Sequence, residues 1–205
     1  MRNPLTDKIK ILRFLLMLLF GLYLHYWMVA KLDEEFIFKG EFWSVMLVVY
    51  LGLLMWNNIR DIREYKKTKS KMSFLPSGTG LFLIVMLILT NYLLNRRDSS
   101  SVIIQAGTSG GFNGAWFDFR EDGTYKFANS GGLGASYFRG TYTIADSIIT
   151  LDKGEIDGVT KSNLFAIREI RSHGKASKIL YQINEKHQIV DKDFFFTVNQ
   201  DDRKK

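Results

Sequence analysis

The stretch Gly114-Ala115-Trp116 to Asp152, which reads WFDFREDGTYKFANSGGLGASYFRGTYTIADSIITLD from Trp116 onward, alternates apolar and polar residues between clusters of turn formers. In an extended chain Phe117 and Phe119 fall on one face, and Trp116, Asp118 and Arg120 on the other. Glu121-Asp122-Gly123 is a tight hairpin turn in which Gly123 supplies the positive φ, and Ala145-Asp146 joins two more strands closely. The two-residue repeat recurs in Tyr125/Phe127, Phe138/Tyr142/Ile144, Ile149/Leu151, Phe165/Ile167, Tyr181/Ile183 and Phe194/Phe196/Val198. Strands are expected near 101–106, 112–119, 123–129, 136–144, 147–151, 162–169, 178–184 and 193–199. Such short, closely linked strands suit an antiparallel up-and-down barrel, because closure removes exposed edges. An eight-stranded barrel is just wide enough to be filled by side chains or to hold one small ligand.

Upstream of this pattern the chain changes character. Ile11 to Ala30 is a nearly unbroken apolar run of about 20 residues, enough to cross the hydrocarbon of a bilayer. It is too long for a typical signal-peptide core and lacks a small-residue cleavage site, so it reads as retained. Tyr23, Tyr26 and Trp27 gather toward its end, where aromatic rings favour the headgroup level. His25 reads as an interfacial histidine rather than a proton relay. Further spans are expected near 42–59 and 74–94, giving a transmembrane domain over 1–97 and an all-β domain over 98–205. In the second span Gly52 offers a place for close helix packing, without a full G-x-x-x-G pattern.

Charge orients the assembly. The N-terminus (Arg2, Lys8, Lys10, Arg13) and the segment Asn57 to Ser73 are basic, whereas Lys31 to Glu41 is an acidic loop. Basic segments stay cytoplasmic. Three spans then put the acidic loop and the β domain together on the far side. The basic segment reads as a topology signal, with binding to anionic lipid as the alternative. The formal net charge is +7, yet residues 96–205 carry 16 Lys/Arg against 14 Asp/Glu, so the β domain has no electrostatic footprint for a nucleic-acid polymer. The chain has no cysteine, which excludes disulfides, thiolate catalysis and Cys-based zinc sites.

Gly114-x-Trp116, Asp122-Gly123-Thr124-Tyr125-Lys126-Phe127, Arg139-Gly140-Thr141-Tyr142 and Ser147-Ile148-Ile149-Thr150-Leu151, in that order, resemble a bacterial lipocalin-like (calycin) domain over roughly the last half of the chain. The resemblance implies a barrel that binds an apolar molecule or a partner, with Trp116 a structural residue at the barrel base. Gly114, Gly123 and Gly140 are read as structural with it. Membrane helices followed by a small barrel are also similar in architecture to CBASS antiphage effectors. That likeness implies a cytoplasmic barrel sensing a cyclic nucleotide and helices that disrupt the membrane.

The expected function is therefore a non-enzymatic, multi-pass bacterial inner-membrane protein. Its N-terminus is cytoplasmic and its barrel extracytoplasmic, binding an apolar or envelope ligand or docking a partner protein. The alternatives are the effector and an accessory subunit of a larger membrane complex. Membrane lipids and a second copy of the chain are further expected partners, and no cofactor is expected. If a ligand enters, the glycine-rich Ser130 to Ala135 and the Asp152 to Lys161 segment share one barrel end and form its rim through Leu133 and Ile156, with Tyr137 and Phe165 as wall residues. His173 and His187 lie in polar turns without metal-ligand spacing, and no nucleophile-and-base pairing emerges.

Overall fold

The computed structural model describes residues 4–172 and 175–203, so His173 lies outside the described residues. The chain forms two compact units, one running through Leu32 and again over Ile37–Asp98, the other comprising Asp33–Phe36 and the chain from Ser99 onward.

The first unit is helical: α1 Pro4–Ala30, α2 Lys39–Thr68, a 3-10 turn at Lys71–Phe74, and α3 Leu75–Arg96. All three helices are long and apolar enough to cross a membrane. Helix α2 continues well beyond the expected span, because Arg, Glu and Lys favour helix and no glycine or proline interrupts them. It stops where Lys69 turns left-handed at φ 56°.

Packing among the helices centres on Tyr50, which is fully buried with Met17, Leu24 and Leu87. A Cβ added at Gly21 would lie 2.8 Å from the Tyr50 hydroxyl and 2.5 Å from Leu83 Cδ1, and one at Gly80 would lie 2.5 Å from Met17 Cε. Helix approach thus depends on Gly21 and Gly80. Gly52, the expected packing glycine, faces open space. Leu12, Leu19, Val45, Val48, Leu81 and Phe82 point outward and exposed, as lipid-facing residues do.

A polar knot ties the three helices at one end. Arg13 donates to the buried Asp61 carboxylate at 2.9 Å and pairs with Glu64 at 3.3 Å, and Lys10 joins Glu64 at 3.2 Å. The other Asp61 oxygen accepts the Ser77 backbone N–H at 3.0 Å, satisfying a first-turn donor of α3. Residues that count as topology charges in the sequence are here an internal three-helix tie.

The second unit is a closed antiparallel barrel of eight strands: β2 Val102–Ser109, β3 Asn113–Arg120, β4 Thr124–Gly131, β5 Gly134–Ala145, β6 Ile148–Leu151, β7 Leu164–Ser172, β8 Lys175–Ile183 and β9 Phe195–Asp201. Neighbours pair in sequence order, and β9 closes the ring on β2. A further strand, β1 Glu34–Phe36, comes from the segment between α1 and α2 and pairs with β5, Glu34 opposite Ser136 and Phe36 opposite Gly134. The acidic loop expected within the transmembrane domain therefore contributes a strand to the barrel sheet.

The reason lies in strand lengths. β5 has 12 residues and β6 only 4. β6 covers Tyr142–Ala145, which leaves the first residues of β5 with an open edge, and β1 takes that edge. The expected long loop Ser130 to Ala135 is mostly strand, because β4 and β5 stay in register to Gly131 and Gly134, leaving Gly132-Leu133 as a two-residue turn.

The barrel interior is aromatic. The ring of Phe117 lies within 4.6–6.0 Å of the rings of Phe119, Tyr125, Phe127, Phe165 and Phe196. Ile104, Ile149, Leu151 and Leu180 complete the core.

Candidate functional site

The seam where β1 meets β5 gathers several polar groups on the barrel exterior. The Tyr137 backbone N–H donates to the Asp33 carbonyl at 2.7 Å, and its hydroxyl donates to the Glu35 carboxylate. Arg139, two residues on and so on the same face, pairs with Asp33. The Lys126 ammonium sits 4.2 Å above the Tyr137 ring, a cation–π contact. Burial, and then the hydrogen bond to Glu35, push the Tyr137 hydroxyl up to about 12. Beside these groups an open groove of about 490 Å³ is lined by Glu34, Glu35, Phe36, Asn113, Asn129 and Ser136, among others.

Gly134 lets β1 approach. A Cβ there would lie 2.2 Å from the Glu35 carbonyl oxygen, a backbone atom that cannot swing away. Gly140 plays the corresponding part inside the barrel. A Cβ would fall 2.2 Å from an Asp152 carboxylate oxygen and 2.7 Å from the Tyr125 ring, which occupies the space left empty by the missing side chain. Burial and the nearby Asp152 carboxylate raise the Tyr125 hydroxyl above its ordinary value.

The expected rim and wall residues separate. Phe165 points inward and is fully buried among the core rings. Ile156 is also in the core rather than on a rim. Its segment folds back on itself, with the Ile156 N–H donating to Thr160 Oγ1 at 2.8 Å and Gln182 accepting the Lys161 N–H at 2.6 Å, so that Ile156 and Val159 plug the barrel end. Tyr137 lies on the outer face, because the alternation that turns Phe138 inward turns Tyr137 outward. Leu133 stands exposed on the β4–β5 turn. The two segments do share an end, joined by Asn129 Nδ2 donating to Asp157 at 2.7 Å.

Among the structural positions, Gly123 has φ +79° in the β3–β4 turn, as its hairpin requires. Gly114 faces Thr108 O and Ser130 Oγ at 3.3 and 3.4 Å from a built Cβ, a mild constraint. Trp116 lies on the outer face opposite Ala128, half-buried, and does not close the barrel base. Ala128 is fully buried on that face, with Trp116 and Tyr137 as its cross-strand neighbours. In the helical unit, His25 Nδ1 lies 3.1 Å from the Gly21 carbonyl within its own helix.

Sequence reasoning missed β1 because Glu34-Glu35-Phe36 is too short to show a period. The charge complement between Asp33 and Glu35 on one side and Arg139 and Tyr137 on the other becomes visible only once the strands pair. Among the described residues no group of three or more His, Asp or Glu side chains is placed to hold a metal ion. Comparison with protein-family models, with curated proteins and with solved structures finds no match for this chain.

Proposed function

We propose that this chain is a non-enzymatic, multi-pass membrane protein, of the bacterial inner membrane, whose lipocalin-like barrel docks a protein partner on its outer surface rather than carrying a ligand inside. The observation that carries this reading is the interior, where fully buried rings from β3, β4, β7 and β9 meet around Phe117 and leave the chemistry on the outside. The groove beside β1, with its acidic, amide and hydroxyl groups, is the surface a partner would meet. The charge asymmetry of the spans supports an extracytoplasmic barrel. Native mass spectrometry of the full chain released from detergent tests the reading. The expected result is the bare chain mass. One stoichiometric apolar molecule per chain that survives detergent exchange would restore the carrier reading.

One observation favours the effector-type alternative. The barrel unit and the helical unit are joined by the chain at three points, Leu32–Asp33, Phe36–Ile37 and Asp98–Ser99, so release of β1 would act directly on the segments leading to α1 and α2. A C-terminal alkaline phosphatase fusion separates the two. Activity supports docking outside the cytoplasm, and inactivity together with a fluorescent cytoplasmic fusion supports the effector.

A further inference from the structure

The segment Asn57 to Ser73 holds six cations, Arg60, Arg63, Lys66, Lys67, Lys69 and Lys71, against two carboxylates, Asp61 and Glu64. Folding separates the two signs. Asp61 is fully buried and Glu64 partly so, and both are taken up by Arg13 and Lys10 of α1. All six cations are exposed, and none of them forms an ion pair among the described residues. The internal tie thus consumes both acids and leaves the outward side of this end of α2 purely basic. Trp56, Arg60, Arg63 and Lys67 follow at three- and four-residue spacing and share one side of the helix. The Arg60 guanidinium lies 4.6 Å from the centre of the Trp56 ring, a cation–π contact. Exposed apolar residues stand among these cations, Ile59 and Ile62 on α2 and Met72 and Phe74 on the 3-10 turn.

We propose that Arg60, Arg63 and Lys67 bind the phosphate of an anionic phospholipid in the leaflet where α2 ends. The inference rests on α2 spanning a bilayer, and not on the docking reading or on the side the barrel occupies. The level of the cations selects lipid as the source of the phosphate. At about 1.5 Å per residue, Lys39 and Arg60 are separated by roughly 30 Å of helix, which matches a hydrocarbon core. Trp56 and Ile59 close that apolar length, so Arg60 and Arg63 stand where hydrocarbon gives way to headgroups, and lipid phosphates are the anions at that level. The two guanidinium forks suit paired phosphate oxygens, and Lys67 adds a point charge. An anionic headgroup is favoured over a zwitterionic one, because no carboxylate of this segment is left outward to meet a choline. The site faces outward from the bundle, so its occupant exchanges with the bilayer and with detergent, unlike a molecule enclosed in the barrel.

The absence of native cysteine makes the test direct. The single variants Ile59→Cys, beside the cations, and Val45→Cys, an exposed reference near the other end of α2, are labelled with a fluorophore in the full chain. Each is reconstituted in phosphatidylcholine vesicles and titrated with nitroxide-labelled phosphatidylglycerol or nitroxide-labelled phosphatidylcholine. Half-quenching at 59 should need about fivefold less of the phosphatidylglycerol, with no difference between the lipids at 45. Adding Arg60→Gln, Arg63→Gln and Lys67→Gln together should abolish the preference at 59. Adding Lys161→Gln, Lys186→Gln and Lys192→Gln, which removes the same charge from the barrel, should leave it intact. Equal quenching by the two lipids at 59 overturns the proposal, and this comparison needs no cation replaced. A preference as large at 45 as at 59, one that survives loss of the three α2 cations, or one that falls equally with the barrel lysines also overturns it. So does a preference abolished by inorganic phosphate but not by chloride at the same ionic strength, since the site then takes free phosphate.

Discussion

The helical unit and the barrel solve one packing problem in opposite solvents. In the helices many large apolar side chains face outward around a small apolar core, and two charged ones, Arg13 and Asp61, are buried within. In the barrel the rings clustered around Phe117 face inward, and Lys126, Arg139 and Glu35 lie outside. Where the surroundings are hydrocarbon, burying another leucine brings little gain, so uniqueness comes from glycine-shaped notches and polar ties. Where the surroundings are water, apolar burial drives folding, and the barrel concentrates its stability in one aromatic cluster.

The contrast breaks first at its two centres. Phe117→Ala, which empties the middle of the ring cluster, should cost about 3–5 kcal/mol, read by near-UV circular dichroism during thermal unfolding of the full chain. Trp116→Ala, one residue away on the outer face, should cost only about 1 kcal/mol, since its side chain is half-buried. Equal losses from the two would mean that the alternation across β3 is misassigned. In the helical unit, Asp61→Ala leaves Arg13 buried without its partner and the Ser77 N–H without an acceptor. A loss of about 3 kcal/mol or more is expected, measured as the fraction folded against denaturing detergent. A change confined to a few tenths would show that the knot is solvated.

Gly134→Ala sharpens the comparison at the seam. The new methyl meets the Glu35 backbone at 2.2 Å, so β1 should leave β5 while the ring cluster keeps its near-UV signal. Limited proteolysis should then cut within 33–38 faster than in the parent protein, where β1 is held by its pairing with β5. The smallest effect is a pH response. The folded chain holds the Tyr137 proton more tightly than the unfolded chain does, up to about 12. Its contribution is therefore complete below the ordinary tyrosine value near 10 and falls away as pH rises through 12. Protease sensitivity of 33–38 should increase across that window, and Tyr137→Phe should abolish the step while leaving the phenolate absorbance of Tyr125 and Tyr142 in place.

Pattern alone accounts for much of this architecture. Three long apolar runs and eight alternating segments are dense, local signals, and both followed from residue type and period: the spans because hydrocarbon admits little else, the strands because one face of each had to be apolar. The glycine of the β3–β4 turn was likewise readable, since so tight a three-residue reversal needs a positive φ at its last residue.

What pattern left open depended on partners far apart in the chain. Whether Ile156 rims a pocket or plugs the barrel rests on Thr160 and Gln182 folding its segment inward. Whether Tyr137 lines the interior rests on a register that sets Phe138 inside and gives Tyr137 to Glu35, about a hundred residues earlier. Gly21 and Gly80 look like any other glycines until Tyr50 arrives from a third helix. The three residues of β1 have no period of their own, and only the unmatched edge of a long β5 beside a short β6 gives them a place. Local composition sets which face of an element is apolar, whereas the partner that each face or edge meets is a property of the assembled sheet and bundle.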